Sequence, residues 1–337
     1  MKTLLTHLLC IFCLILGTLP AAAEQTPLNF GIVPTESSIN LRKDYEALRA
    51  DLERHLARPV ALFMAPDYTS IIEAMRFNRV QLGLFGNLSA IDAVDRAGAE
   101  VFAQTIDKDG NPGYWPVICV PVASPLKTLA DLHARRAELT FAMSDPQSTS
   151  GTLMPGYYAF TLFGINPERE FKAFRRANHE ANLYSLALGQ LDAATANNEA
   201  LFRFQGAKPE LAAKVREIWR GPLIASDPLL YRADLPAQLK TRIAEFFYGY
   251  GSTPENQAKI AALKWSGFRL STNEQLRPYR LLRLIREETT LQNDATAAPE
   301  KKARRLQEIA RERAALEIAP AAAPALAPVP AAASPAP

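Results

Sequence analysis

Three adjacent hydroxyl residues, Ser148, Thr149 and Ser150, followed by Gly151, directly succeed a strand-like run from Leu139 to Met143. A chain that leaves a strand and turns into a helix aims several backbone N–H groups, and the positive end of the helix dipole, at one point where an anion is favoured. The hydroxyls would add three donors, and Gly151 would permit the close backbone approach a tetrahedral oxyanion requires. Ser and Thr also favour N-cap positions that bind nothing, and one cap needs only one hydroxyl. The pattern by itself therefore leaves an oxyanion pocket and a plain cap cluster both open. Pro155 must either fall in the first helical turn or interrupt the i to i−4 ladder.

The elements that would position this stretch alternate in kind. Leu28 to Val33, a helix from Leu41 to Leu56, Val60 to Met64, a helix from Tyr68 to Asn78, and Leu82 to Phe85 follow in βαβαβ order, which predicts an α/β fold with a mostly parallel sheet. Tyr45, Leu48, Leu52 and Leu56 recur at helical spacing as a core stripe. A second alternating unit runs through Trp115 to Pro121, Leu139 to Met143, a helix from Gly156 to Phe163, Phe171 to Phe174 and Asp192 to Thr195. Pro222 to Tyr231, apolar and flanked by prolines, suits an extended crossing back to the first unit. Two crossings imply a hinge, with ligand between the carboxyl edges of the two sheets. Helices are expected over Leu235 to Tyr248 and Pro254 to Leu263, with apolar patterning continuing at Leu281 to Arg286.

The ends read differently. Met1 to Ala23 has the charge, apolar core and small-residue cleavage site of a secretory signal peptide. The remaining divisions are one lobe from 24–117 with 225–290, a second lobe from 118–224, a charged helix within 291–318 and a disordered Ala/Pro tail at 319–337. Leu306, Ile309 and Leu316 form a seam on that helix that would serve either a homodimer or packing on its own lobe. Of three cysteines, Cys10 and Cys13 lie in the signal and only Cys119 follows it, so no internal disulfide is available to the exported chain. Beyond the signal, 37 basic and 35 acidic residues give no basic excess to recruit nucleic acid.

Several separated runs, taken in order, resemble the periplasmic phosphonate-binding receptors of ABC importers: Ala65 to Tyr68, Met75 to Asn78, Gly86 to Ala90, Ala93 to Arg96, Val101 to Thr105, Pro112 to Trp115, Asp145 to Tyr158, His179-Glu180, Asn197 to Glu199, and Pro222 to Ile224 with Asp227-Pro228. The resemblance spans Leu28 to Leu284 and implies a type II periplasmic binding fold, two α/β lobes closing over ligand, and an ABC permease as partner. It further implies that Ser148, Thr149, Ser150, Tyr68, Tyr114 and a protonatable His179 hold the phosphonate oxygens, and that Glu199 and Asp227 receive an ammonium at the far end. Such a pocket would favour 2-aminoethylphosphonate over phosphate, phosphite or methylphosphonate, which would leave both acids desolvated without a cation. Phe85 stands where relatives are expected to carry tyrosine.

A hydrolase of phosphonate or phosphate esters is the alternative from another class. The chain has no Gly-x-Ser-x-Gly elbow, and His179-Glu180 is not followed by the second histidine of a His-Glu-x-x-His zinc motif. With His55, His133 and His179 the only histidines after the signal, no metal or other cofactor is expected. A receptor feeding a signalling protein would use the same fold.

Overall fold

The computed structural model describes residues 26–294 and 296–318; the expected signal peptide and Ala/Pro tail lie outside the described residues. In chain order the first elements are β1 (Leu28–Ile32), α1 (Ser38–Leu56), β2 (Val60–Phe63), α2 (Tyr68–Arg76), β3 (Leu82–Leu84), α3 (Asn87–Ala97) and β4 (Ala99–Asp107). Then come β5 (Gly113–Tyr114), β6 (Pro116–Pro121), α4 (Leu129–Arg135), β7 (Thr140–Met143), a wide helical segment over 149–163, β8 (Ala173–Arg176), α5 (His179–Ala187), β9 (Ala193–Asn197), α6 (Asn198–Ala207) and β10 (Val215–Arg220). The chain continues through β11 (Ile224–Ala225), β12 (Pro228–Arg232), α7 (Ala237–Gly249), α8 (Pro254–Ile260), β13 (Trp265–Leu270), α9 (Arg277–Gln292) and α10 (Pro299–Ile318).

Two sheets result, in the orders β13-β4-β12-β3-β1-β2 and β10-β6-β9-β7-β8. The expectation of mostly parallel sheets is corrected: both are mixed. β1 runs parallel to β2 and β3, and β7 parallel to β8 and β9, but β12 is antiparallel to β3 and β4, β13 to β4, and β6 to β9 and β10. Parallel neighbours need a crossover between them, which the local βαβ units supply. The antiparallel strands enter from the crossings or from far along the chain, with no such unit to set their direction.

The α1 stripe reads correctly: Leu41, Tyr45, Leu48, Leu52 and Leu56 are all buried, in one cluster with Phe30, Phe246 and Phe247. Each fully buried leucine contributes roughly 1.5–3 kcal/mol. A second cluster, under α2 and α3, holds Tyr68, Phe85, Tyr114, Met154 and Tyr279. Phe85 is completely buried there, its ring so close over the backbone that a Cβ on Gly83 would stand 2.4 Å from it. It serves packing.

The seam on α10 faces its own chain. Ile309 is buried, Leu306 and Leu316 are half-buried, Arg305 pairs with Glu287 of α9 at 2.7 Å, Arg313 pairs with Glu288, and Arg277 Nε donates to the Leu316 carbonyl at 2.6 Å. The apolar edge expected to offer a homodimer surface is thus occupied by intramolecular packing on α9.

Between the sheets, the two crossings pair with each other: β5 and β11 run antiparallel, with Tyr114 opposite Ile224 and Gly113 opposite Ala225. A Cβ on Gly113 would lie 1.8 Å from the Ile224 carbonyl oxygen, so no larger residue fits without parting the strands. Gly113→Ala should therefore destabilise the protein by about 1–3 kcal/mol, the usual range for overpacking. Urea unfolding measures this, and an unchanged midpoint would show that the crossings need not touch.

Candidate functional site

The hydroxyl run lies where β7 ends and the chain turns into the 149–163 segment. Ser148, Thr149 and Ser150 are all buried. Each of their oxygens accepts a hydrogen bond from a different N–H group: Ser148 Oγ from the Gly151 backbone at 3.0 Å, Thr149 Oγ1 from the Leu88 backbone of α3 at 2.8 Å, and Ser150 Oγ from Asn197 Nδ2 at 3.0 Å. A hydroxyl whose lone pair is so engaged keeps its own proton for another acceptor. Three neighbouring hydroxyls are thus engaged as acceptors, and the N–H groups of Thr149 and Ser150, which open the helix, have no intrahelical acceptor.

Pro155 explains the shape of this helix. It falls neither before nor in the first turn but at the middle of the segment, between π-helical stretches at Thr149–Leu153 and Gly156–Phe160. Proline removes one donor and crowds the carbonyl four residues earlier, here that of Gly151. The Gly151 carbonyl instead accepts the Ser144 N–H at 3.1 Å and the Thr195 hydroxyl at 2.8 Å, which ties the turn to β9. Gly151 itself admits protein, not ligand, as a close neighbour: a Cβ there would sit 2.1 Å from Ser144 Cβ and 2.9 Å from His179 Cε1.

His179 opens α5 beneath the hydroxyls, with Nδ1 2.9 Å from Ser144 Oγ and Nε2 3.3 Å from Ser150 Oγ. Complete burial, reinforced by the positive charge of Arg203, holds its pKa down at about 3. Desolvation thus favours the neutral form of the ring in this cleft. Tyr68, in the first turn of α2, lies near the Ser148 side chain, and burial raises its pKa well beyond the ordinary range, so it remains a phenol. Its backbone N–H donates to Asp145 at 3.2 Å across the cleft.

The hydroxyl of Tyr114 donates to Asp227 Oδ1 at 2.7 Å, so the residue joins the acid end. Asp227, between β11 and β12, is half-buried, and desolvation with the nearby charge of Glu199 raises its pKa to about 8 against the opposing effects of Tyr114 and Arg203. Glu199, in the first turn of α6, is also raised by burial, with Arg203 acting against it. The indole of Trp265 lies beside Glu199 and helps hold its charge, while its buried Nε1 finds no full hydrogen-bond partner among the described residues.

Seven of the eight expected residues are buried and Asp227 is half-buried, and they separate into two ends. Ser148, Thr149, Ser150, Tyr68 and His179 form one, and Glu199, Asp227 and Tyr114 the other. Sequence reasoning missed Ser144, Trp265 and the ligand-facing side of Asn197. Asn197 carried a signal, since it caps α6 by accepting the Ala200 N–H at 2.7 Å, which fixes its amide nitrogen toward Ser150. Ser144 and Trp265 carried none.

The family model described as ABC transporter, phosphonate, periplasmic substrate-binding protein matches residues 30–276. The phosphonates-binding periplasmic protein of Escherichia coli (strain K12) is 46% identical over 270 residues, which cover 80% of each chain. The structure of a binding protein component of an ABC phosphonate transporter from Pseudomonas aeruginosa superposes with a TM-score of 0.84 at 40% identity, covering 87% of this chain and 97% of that one. A Prochlorococcus marinus protein solved in complex with methylphosphonate shares the fold, with a TM-score of 0.67 at 19% identity over 76% of this chain and 96% of that one.

The raised pKa of Asp227 has a definite effect on stability. An unfolded carboxyl titrates near about 4, so between there and about pH 8 the folded cleft holds more protons than the unfolded chain. Stability contributed by this group is full at low pH and is lost as pH rises through that window. Thermal melts from pH 5 to 8.5 should therefore fall less steeply with pH in Asp227→Asn than in the parent; identical slopes would mean that the carboxyl is not held protonated.

Proposed function

This chain belongs to the periplasmic substrate-binding proteins of phosphonate ABC transporters, and from that premise we propose that its preferred ligand is 2-aminoethylphosphonate. It is the binding component of a transporter and not an enzyme. The observation that carries the reading is the polarity of the cleft. One end offers hydroxyl protons with their lone pairs already engaged, and the other offers two desolvated carboxyl groups.

In this reading Ser148, Thr149, Ser150 and Tyr68 donate to the phosphonate oxygens, with neutral His179 orienting Ser144 and Ser150 through its two ring nitrogens. Glu199 and Asp227 receive the ammonium, and Tyr114 fixes Asp227. Charge-assisted hydrogen bonds of this kind contribute on the order of 1.5–3 kcal/mol each. Closing the same acids over a ligand that lacks the amine costs several kcal/mol unless a carboxyl takes up a proton. The lobes are 24–117 with 225–290, and 118–224, hinged at the β5–β11 pair, and residues 1–23 direct export.

Calorimetry tests this directly. 2-Aminoethylphosphonate should bind at least about tenfold more tightly than methylphosphonate or phosphate, the equivalent of one charge-assisted hydrogen bond. Glu199→Gln combined with Asp227→Asn should remove that preference while leaving methylphosphonate binding nearly unchanged. Equal affinity of the parent for all three ligands would refute the reading.

Proton exchange supplies an independent check. Near pH 7, 2-aminoethylphosphonate should drive proton release from Asp227, because its ammonium favours the carboxylate over the neutral acid that the free cleft holds, whereas methylphosphonate should leave the carboxyl protonated. The buffer dependence of the binding enthalpy reports this release, and subtracting that of Asp227→Asn removes the titration of the ligand itself. No difference between the two ligands after that subtraction would place the amine away from Asp227.

A further inference from the structure

Two cations exert their fields on Glu199: Arg203 and Lys264. Lys264 is engaged by Asp107 at 3.4 Å and Asp109 at 3.5 Å. Arg203 lies four residues after Glu199 on α6, the spacing and order at which a carboxylate and a guanidinium pair favourably along a helix. Among the described residues no ion pair joins them. Arg203 instead donates through Nε to Glu36, a buried residue in the loop after β1, across the cleft from α6. Setting these matched pairs aside leaves Glu199 and Asp227 as the acids of the chamber without a cationic partner.

Resting on the aminophosphonate reading above, we propose that Glu36 is a specificity-determining positioning residue: it holds Arg203 across the cleft and so reserves Glu199 and Asp227 for the ammonium of the ligand. The loop that carries Glu36 is built to deliver it there. Glu180 of α5 accepts hydrogen bonds from the Ser37 backbone at 2.8 Å and from Asn40 Nδ2 at 2.6 Å, while the Glu180 N–H donates to the Thr35 carbonyl at 3.4 Å. The residues on both sides of Glu36 are therefore fastened to the opposite lobe. Glu36 acts only through Arg203. Without its charge, the guanidinium is released to the carboxylate one turn away on its own helix, and the site loses its demand for an amine.

The test is ligand preference, which a simple closing latch would not alter. In Glu36→Gln, affinity for 2-aminoethylphosphonate should fall at least about tenfold, the loss of one charge-assisted hydrogen bond, while methylphosphonate affinity holds or rises. Glu36→Asp should keep the parent's preference. The double variant Glu36→Gln with Arg203→Gln should regain it, because the competing cation is gone, and Arg203→Gln alone should retain it. Parallel loss of both ligands in Glu36→Gln with no recovery in the double variant would make Glu36 a latch and overturn the proposal, as would an unchanged preference in Glu36→Gln. If Glu36→Gln fails to fold, loss of preference in Arg203→Gln overturns it equally. A parent protein that shows no preference for the amine refutes the aminophosphonate reading itself, an outcome separate from all of these.

Discussion

Two carboxyl groups withdrawn from water into one chamber set the terms for the rest of this cleft. Burial disfavours the charge of both Asp227 and Glu199, and the charge of Glu199 adds to the elevation of Asp227. A protein tolerates such a pair by protonating one member or by admitting a cation. The surrounding residues limit both remedies. Tyr114 donates to Asp227 and works against protonation, while Arg203 and Lys264 are each bound by another acid. The arrangement stays poised, and the ammonium of the proposed ligand would complete it.

The opposite end follows a complementary logic. A buried serine or threonine that both donates and accepts within the protein has nothing left for a ligand. Here three hydroxyl oxygens accept from Gly151, Leu88 and Asn197, which suits their own protons to donation. An oxyanion is the ligand such a surface can satisfy, and a neutral acceptor would leave some of its donors unmatched. That His179 is neutral fits the same scheme, since the site attracts its anion with oriented dipoles at short range instead of a buried charge.

Much of this frame was legible from residue order. The α1 stripe followed from spacing alone, because a helix facing one core must repeat its apolar residues at three and four. The hydroxyl run was visible because cap chemistry and anion chemistry draw on the same residues. What escaped was non-local. The antiparallel insertion of β12 between β3 and β4 is a pairing across more than a hundred residues, and nothing in Pro228 to Arg232 specifies its direction. The partner of Tyr114 escaped for a related reason: only the fold shows that its hydroxyl meets Asp227. Gly151 was rightly singled out, yet its constraint comes from Ser144 and His179, which neither motif nor spacing places beside it.

Pro155 illustrates how a residue with no binding chemistry shapes the site. By blocking the ordinary acceptance at the Gly151 carbonyl, it widens the helix and leaves that oxygen to Ser144 and Thr195. Ser144 is thereby held within reach of His179, His179 within reach of Ser150, and Ser150 under Asn197 at the start of α6. The same short helix carries Glu199 in its first turn and Arg203 in its second. One rigid segment thus joins the oxyanion end to the acid end, so a ligand that bridges them must match a fixed separation. In the proposed assignment, selectivity by length is a property of the backbone, while selectivity by charge depends on which partner Arg203 takes.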